Sequence, residues 1–135
     1  MYTISIRLEF CYGHRLLRYA GKCRHLHGHN GTVDIELSAD TLDRRQMVRD
    51  FSEIKHAVAA WIDAHLDHKM ILSKGDPALP ALRKLGEPLY VMDANPTAEA
   101  LAKLLYDVAK RTLRLPVTAV KLWETPRACA TYAPR

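Results

Sequence analysis

Residues 2–10 read Tyr2-Thr3-Ile4-Ser5-Ile6-Arg7-Leu8-Glu9-Phe10 and alternate without a break. Tyr2, Ile4, Ile6, Leu8 and Phe10 fall on one side, and Thr3, Ser5, Arg7 and Glu9 on the other. That is the period of a half-buried antiparallel strand. A second run repeats it, with Val33, Ile35 and Leu37 set against Asp34, Glu36 and Ser38. Carried forward, the first strand places Tyr12 and His14 on the apolar side. Counted back by twos from Val33, the second places Gly31, His29 and His27 there too. A bulge in either strand would break this count.

Paired strands would therefore bring His14, His27 and His29 to one inward site and leave His25 facing away. An imidazole on a core face needs partners for both nitrogens. Three that converge match Zn²⁺, with a fourth position open for water or substrate. A rival reading takes Cys11, His14, Cys23 and His27 as a closed structural zinc site. Its spacer is short for a zinc finger, and it leaves His29 without a role.

At 135 residues the chain makes one domain with a core that needs no staples. Hydrophobic content is 48%, and no apolar run approaches the length of a membrane span. A strand that starts at once leaves no room for a signal peptide. Three cysteines, one lying among histidines, suit reduced thiols in a cytoplasmic protein better than a disulfide framework. The net charge of +5 suits an anionic ligand, a nucleic acid or a phosphorylated small molecule.

Beyond the second strand, Asp50 with Glu53 three residues on forms an Asp-x-x-Glu capping box. Phe51, Ile54, Val58, Trp61, Ile62 and His65 then recur at helical spacing, to about Leu66. LDHKMIL reads as the helix end, and residues 73–88 as a Gly- and Pro-rich loop with at most one helical turn. LYVMD is a short strand. Thr97 caps a second helix with a stripe of Leu101, Leu104, Leu105 and Val108, and Pro116 bars its continuation. TAVKLWE and ACATY are the last strands. The order predicts an α+β fold with two helices on one face of an antiparallel sheet. The other face must be covered or tolerate water, and sheets joined edge to edge in an oligomer are one solution.

Three further groups carry chemistry. Cys23 lies beside Lys22, Arg24 and imidazoles, surroundings that favour a thiolate, although most free cysteines are inert. Cys11 alternates outward and Cys129 sits in an apolar strand, and both read as inert. Asp67 and His68 can orient each other, with the histidine as proton carrier. Glu124 shares parity with Val120 and Leu122, so it brings a carboxylate to the inward end of a core strand. Such a group must be paired. An edge with two N–H donors, as in a pterin or guanine, satisfies it, and so does an internal salt bridge.

FxxxH at Phe10–His14, CxxxHGHN at Cys23–Asn30, VxDF at Val48–Phe51, LDHK at Leu66–Lys69, NPTAE at Asn95–Glu99 and WETPxxxAxY at Trp123–Tyr132 occur in that order. Together they resemble the 6-pyruvoyl-tetrahydropterin synthase / 6-carboxytetrahydropterin synthase family over nearly the whole chain. The resemblance implies a tetrahydropterin-synthase (T-fold) subunit spanning 1–135, in a homohexamer of two stacked trimers whose sheets form barrels. It implies Zn²⁺ on His14, His27 and His29, and active sites where subunits meet. It gives Cys23, Asp67 and His68 catalytic roles, and Glu124, Thr97 and Glu99 substrate-binding ones.

The three residues between Cys23 and His27 look like the bacterial carboxytetrahydropterin branch, which serves queuosine and deazapurine synthesis. The implied reaction is that of a zinc lyase. It converts 7,8-dihydroneopterin triphosphate to 6-carboxytetrahydropterin with release of acetaldehyde and triphosphate. Arg15, Arg18, Lys22 and Arg24 are candidates to meet the triphosphate, or form a solvated basic loop. Two departures fall on the substrate side. Tyr12 and Gly13 stand where the family has small residues, and Met70-Ile71-Leu72 replaces an Asn-Leu-Asn-like run ahead of a long loop.

Other readings are a 6-pyruvoyl-tetrahydropterin synthase, a non-catalytic pterin-binding scaffold, and a basic zinc module on nucleic acid. The last is disfavoured because the basic residues are not interleaved with aromatic stacking groups. Neither a nucleic acid nor a membrane is an expected partner.

Overall fold

The computed structural model describes residues 1–135. Strands β1 (Tyr2–His14) and β2 (His27–Ala39) pair antiparallel over their full length, from Tyr2 opposite Ala39 to His14 opposite His27. No bulge interrupts this ribbon, so the parity count holds to its last rung. Strand β5 (Val117–Thr125) lies antiparallel to β2, and β6 (Ala128–Tyr132) antiparallel to β5.

On the other side of β1 the sheet changes character. Strands β3 (Lys69–Ser73) and β4 (Leu89–Met92) both run parallel to β1, giving the order β4-β3-β1-β2-β5-β6. The sheet is mixed, which corrects the antiparallel expectation. Strand β3 also corrects the reading of LDHKMIL as a helix end. Its Ile71 and Leu72 are both fully buried, and a strand covered on both faces shows an apolar run in place of alternation.

Helices α1 (Phe51–His65) and α3 (Ala98–Asp107) cover the inward face, and the helical turn allowed in the long loop is a short α2 (Leu79–Lys84). The carboxylate of Asp50 caps α1 by accepting from the Ser52 amide at 2.8 Å. Glu53 turns to Arg49 at 3.3 Å, so the reciprocal half of the capping box is not made. Thr97 caps α3 by accepting from the Ala100 amide at 3.1 Å. Both helical stripes are rotated slightly from expectation. Phe51 and His65 are exposed, while Ala102, Tyr106 and Ala109 join the core.

Ile54, Val58, Ile62, Leu101 and Leu105 pack on Leu8, Phe10, Val33, Ile35 and Leu122 in one core cluster. Each such side chain contributes about 1.5–3 kcal/mol by leaving water. The opposite face of the sheet tolerates water through a polar lattice. Arg7 grips Asp34 with two hydrogen bonds at 2.7 and 3.0 Å, and the Trp123 indole N–H donates to the same carboxylate at 3.1 Å. No helix is long and apolar enough to cross a membrane.

Candidate metal centre and its surroundings

The last rungs of the β1–β2 ribbon place His14 directly opposite His27, with His29 one inward position back opposite Tyr12. The three imidazole centroids stand 4.6, 5.0 and 4.9 Å apart. One ring nitrogen from each lies within 4.8 Å of the others. The Nε2 atoms of all three are buried and have no hydrogen-bond partner. A buried polar atom left alone is costly, so three aimed at one space describe a site built for something they bind.

The remaining nitrogens of two rings are tied to backbone. His14 Nδ1 meets the Pro96 carbonyl at 2.7 Å, and His27 Nδ1 meets the His25 carbonyl at 2.7 Å. A carbonyl can only accept, so each Nδ1 carries a proton, and it is the Nε2 of each ring that is left to present a lone pair to a metal. Metal-binding histidines are held in this way. Burial is the main reason that His14 falls to about 4, with the neighbouring imidazoles adding to it against the Pro96 hydrogen bond. His29 is lowered too, first by burial. Burial thus favours the neutral form of both rings, the form that ligates a metal. Three converging imidazoles with a fourth side open fit Zn²⁺.

Glu124 reaches the same space. Its Oε1 lies 3.8 Å from His14 Nε2, and with His14 neutral this is a close approach and not an ion pair. No Arg or Lys pairs with Glu124, so the salt-bridge alternative is not realised. The closed Cys/His site is not realised either. Cys11 is exposed on the far face, donating to Asn30 Oδ1 at 3.0 Å, and neither it nor Cys23 joins the histidine cluster.

The other expected residues lie around this centre in different ways. Cys23 is half-buried in the 3₁₀ turn Lys22–Arg24, whose Cys23 carbonyl accepts from the Leu16 amide at 2.9 Å. Its thiol makes no hydrogen bond. Asp67 accepts from the Cys11 amide at 2.9 Å and holds His68 Nδ1 at 2.8 Å. Burial would push the Asp67 carboxyl up, but these two hydrogen bonds outweigh it and keep the group below the usual carboxylate range. His68 adopts a left-handed backbone (φ +59°), and its amide donates to the Cys11 carbonyl at 2.7 Å.

Cys11 points outward, so this pair lines a groove on the polar face with Arg7, Asn30, Thr32 and Trp123. Within one chain this pair sits on the outward side with Cys11 while the three imidazoles converge inward, and His68 also borders a second cavity with His27 and His29. The Thr97 hydroxyl is engaged as a helix cap, and Glu99 is exposed in the first turn of α3.

Several contributors were not legible as such. Asn95 clasps Leu17, accepting from its amide at 2.9 Å and donating to its carbonyl at 2.8 Å. With the neighbouring Pro96 carbonyl on His14, the NPT turn fixes the start of the loop between His14 and His27. Its motif was visible, but a backbone carbonyl leaves no mark in a sequence. Arg15 forms a two-pronged pair with the buried Asp76 and is removed from the candidates for an anion. Arg24 bonds the Ala20 carbonyl at 2.7 Å, within its own loop. Arg18 and Lys22 make no ion pair. Cys129, expected to be an inert buried thiol, is exposed on β6.

Comparison with known proteins agrees with this architecture. Residues 3–135 match the family described as 6-pyruvoyl tetrahydropterin synthase. A 6-carboxy-5,6,7,8-tetrahydropterin synthase of Rickettsia conorii is 37% identical over 132 residues, covering 93% of this chain and 96% of that protein. An uncharacterised protein of Wolinella succinogenes superposes with a TM-score of 0.86 at 27% identity, over 99% of this chain and 98% of its own. The 6-pyruvoyl tetrahydropterin synthase of Caenorhabditis elegans superposes at 0.75 with 22% identity, over 99% and 96%, a likeness of fold. Carried by a family match over nearly its whole length and by a relative that close, this chain belongs to the 6-pyruvoyl tetrahydropterin synthase family as a lyase-class enzyme of T-fold architecture.

Proposed function

We propose that the protein is a zinc-dependent 6-carboxy-5,6,7,8-tetrahydropterin synthase. It converts 7,8-dihydroneopterin triphosphate to 6-carboxytetrahydropterin with release of acetaldehyde and triphosphate, as a cytoplasmic step toward queuosine and other deazapurines. The observation that carries the reading is the set of three orphaned Nε2 atoms with the Glu124 carboxylate 3.8 Å from one of them. It combines a metal site with an acceptor for an N–H edge.

His14, His27 and His29 would hold the Zn²⁺. When bound, the metal would polarise the oxygens of the substrate's side chain and acidify the adjacent carbon-bound protons. Glu124 would accept hydrogen bonds from the pterin's amino group and ring N–H, and so orient the side chain toward the metal. Cys23 and His68 would move protons, with Asp67 holding His68 Nδ1 and leaving its Nε2 free to exchange them. Thr97 and Glu99 would border the ring at the start of α3, and Arg18 and Lys22 are left to meet the triphosphate.

The opposite-face arrangement supports a shared site. With Asp67 and His68 held on the outward side by Cys11 and the imidazoles converging inward, the pair would serve the metal centre of a neighbouring copy. A homohexamer of two trimers, with barrel-forming sheets, is the assembly this reading expects.

Incubating zinc-loaded protein with dihydroneopterin triphosphate and assaying both small products tests the assignment. Acetaldehyde and triphosphate should appear in equal amounts. Triphosphate without acetaldehyde would move the protein to the pyruvoyl reaction.

A further inference from the structure

Tyr12 brings a further polar group to the metal centre. It is 3% exposed, and its hydroxyl is buried without a hydrogen-bond partner. The ring stacks on Phe10 at 5.2 Å and meets His14 and His29 at 5.2 and 5.6 Å. It lies across Gly31 on β2, where an added Cβ would come within 2.9 Å of the Tyr12 ring carbon Cε1. The β2–β5 ladder ends at the rung that pairs Thr32 with Trp123, and its register continued by one residue points Gly31 toward Glu124. Crossing β2 at Gly31, the ring therefore heads toward that carboxylate. A partnerless phenol O–H thus belongs to a ring packed against the histidine cluster, whose Nε2 atoms are likewise partnerless and which Glu124 approaches. A phenylalanine would fill the same volume without the cost of burying an unpaired hydroxyl.

We infer that Tyr12 is a substrate-binding residue whose hydroxyl donates to a ring oxygen of the ligand, beside the N–H edge that Glu124 holds. The inference rests on the pterin reading given above. A pterin presents an amino group, a ring N–H and a carbonyl in a row. The carboxylate accepts from the first two, and only a donor can read the third. Glu124 alone would bind any ring with two N–H groups. Tyr12 adds selection for the carbonyl beside them, because a site built to hydrogen-bond a group discriminates against an analogue that lacks it.

Tyr12→Phe keeps the ring and deletes the donor. Two probes are titrated into zinc-loaded protein and followed by their fluorescence. One is pterin, and the other is its 4-deoxo-3,4-dihydro analogue, which keeps both N–H donors and lacks the carbonyl. Bound zinc is counted by native mass spectrometry in the same samples. Y12F should weaken pterin about five- to tenfold, leave the analogue unchanged, and keep the zinc count of the wild type. Equal pterin affinity in the two proteins overturns the inference and leaves Tyr12 as packing. Equal weakening of both probes, or loss of zinc, assigns it a structural role and overturns the inference as well. Wild-type protein that holds zinc but binds neither probe removes the pterin reading itself, and the inference with it.

Discussion

Asn95 holds both ends of Leu17, its carbonyl accepting at 2.9 Å and its amide donating at 2.8 Å, while the next residue's carbonyl fixes His14. An asparagine side chain that copies a backbone rung locks two loops into one register. The loops concerned are those that begin the metal-loop segment and α3.

Releasing that clasp should loosen the metal. Asn95→Ala is expected to weaken zinc about tenfold in a chelator competition, in the range found for partners that orient metal ligands. His25→Ala is the matched control, since His25 supports His27 through its backbone carbonyl. Its zinc affinity should equal that of the wild type. Unchanged affinity in the Asn95 variant would show that Pro96 alone positions His14.

Gly31 and Tyr12 should be energetically coupled. Gly31→Ala places a methyl group 2.9 Å from the Tyr12 ring and is expected to cost about 1–3 kcal/mol in urea unfolding. In a Tyr12→Ala background the obstruction is gone, and the same change should cost far less. Equal costs in the two backgrounds would mean that the ring moves aside freely.

The Arg15–Asp76 pair predicts acid sensitivity. The Arg15 hydrogen bonds hold the buried Asp76 carboxyl below the usual carboxylate range, with the Ala78 amide helping against burial. A depressed folded value adds stability above the unfolded value near 4, and that stability is lost as pH falls further. Asp76→Asn should cost roughly 2–4 kcal/mol at neutral pH, with less of the full penalty because Arg15 reaches water. Urea midpoints of the two proteins should converge as pH drops from 5 toward 3, in steps set by about one carboxyl group. Parallel curves would exonerate the pair.

A site shared between subunits can be rebuilt from two dead halves. Cys23→Ala and His68→Ala should each lose turnover while binding zinc normally. Unfolded together and refolded as a mixture, they should recover about a quarter of wild-type turnover if subunits reassort at random. A mixture as inactive as its components would place Cys23 and His68 in the same chain's site.

The three-histidine cluster was legible because two strands with strict alternation pair without a bulge, so a count by twos from Val33 reached the inward positions of His27 and His29. Glu124 followed from the same rule on β5. What escaped had no period to read. Strand β3 is five residues long with an unbroken apolar centre, and its parallel pairing to β1 depends on a crossover through α1. Phe51 looked like core by spacing, but the helix stripe turned toward Ile54 and left it 57% exposed. Arg15 looked free until the fold brought Asp76 to it from sixty-one residues away. The relation between Asp67–His68 and the histidines needed three dimensions, since nothing in a linear pattern says that they face apart.

Strand β1 carries His14 on one face, and through the Cys11 backbone it steadies Asp67 and His68 on the other. Under the proposed mechanism a lone subunit therefore owns every part and no complete set. Turnover would then obey mass action among subunits, rising faster than linearly with protein concentration near the dissociation point. Below it, a dilute solution would hold folded, metal-loaded and inert chains. Dilution would act as an off switch that leaves no trace in the fold.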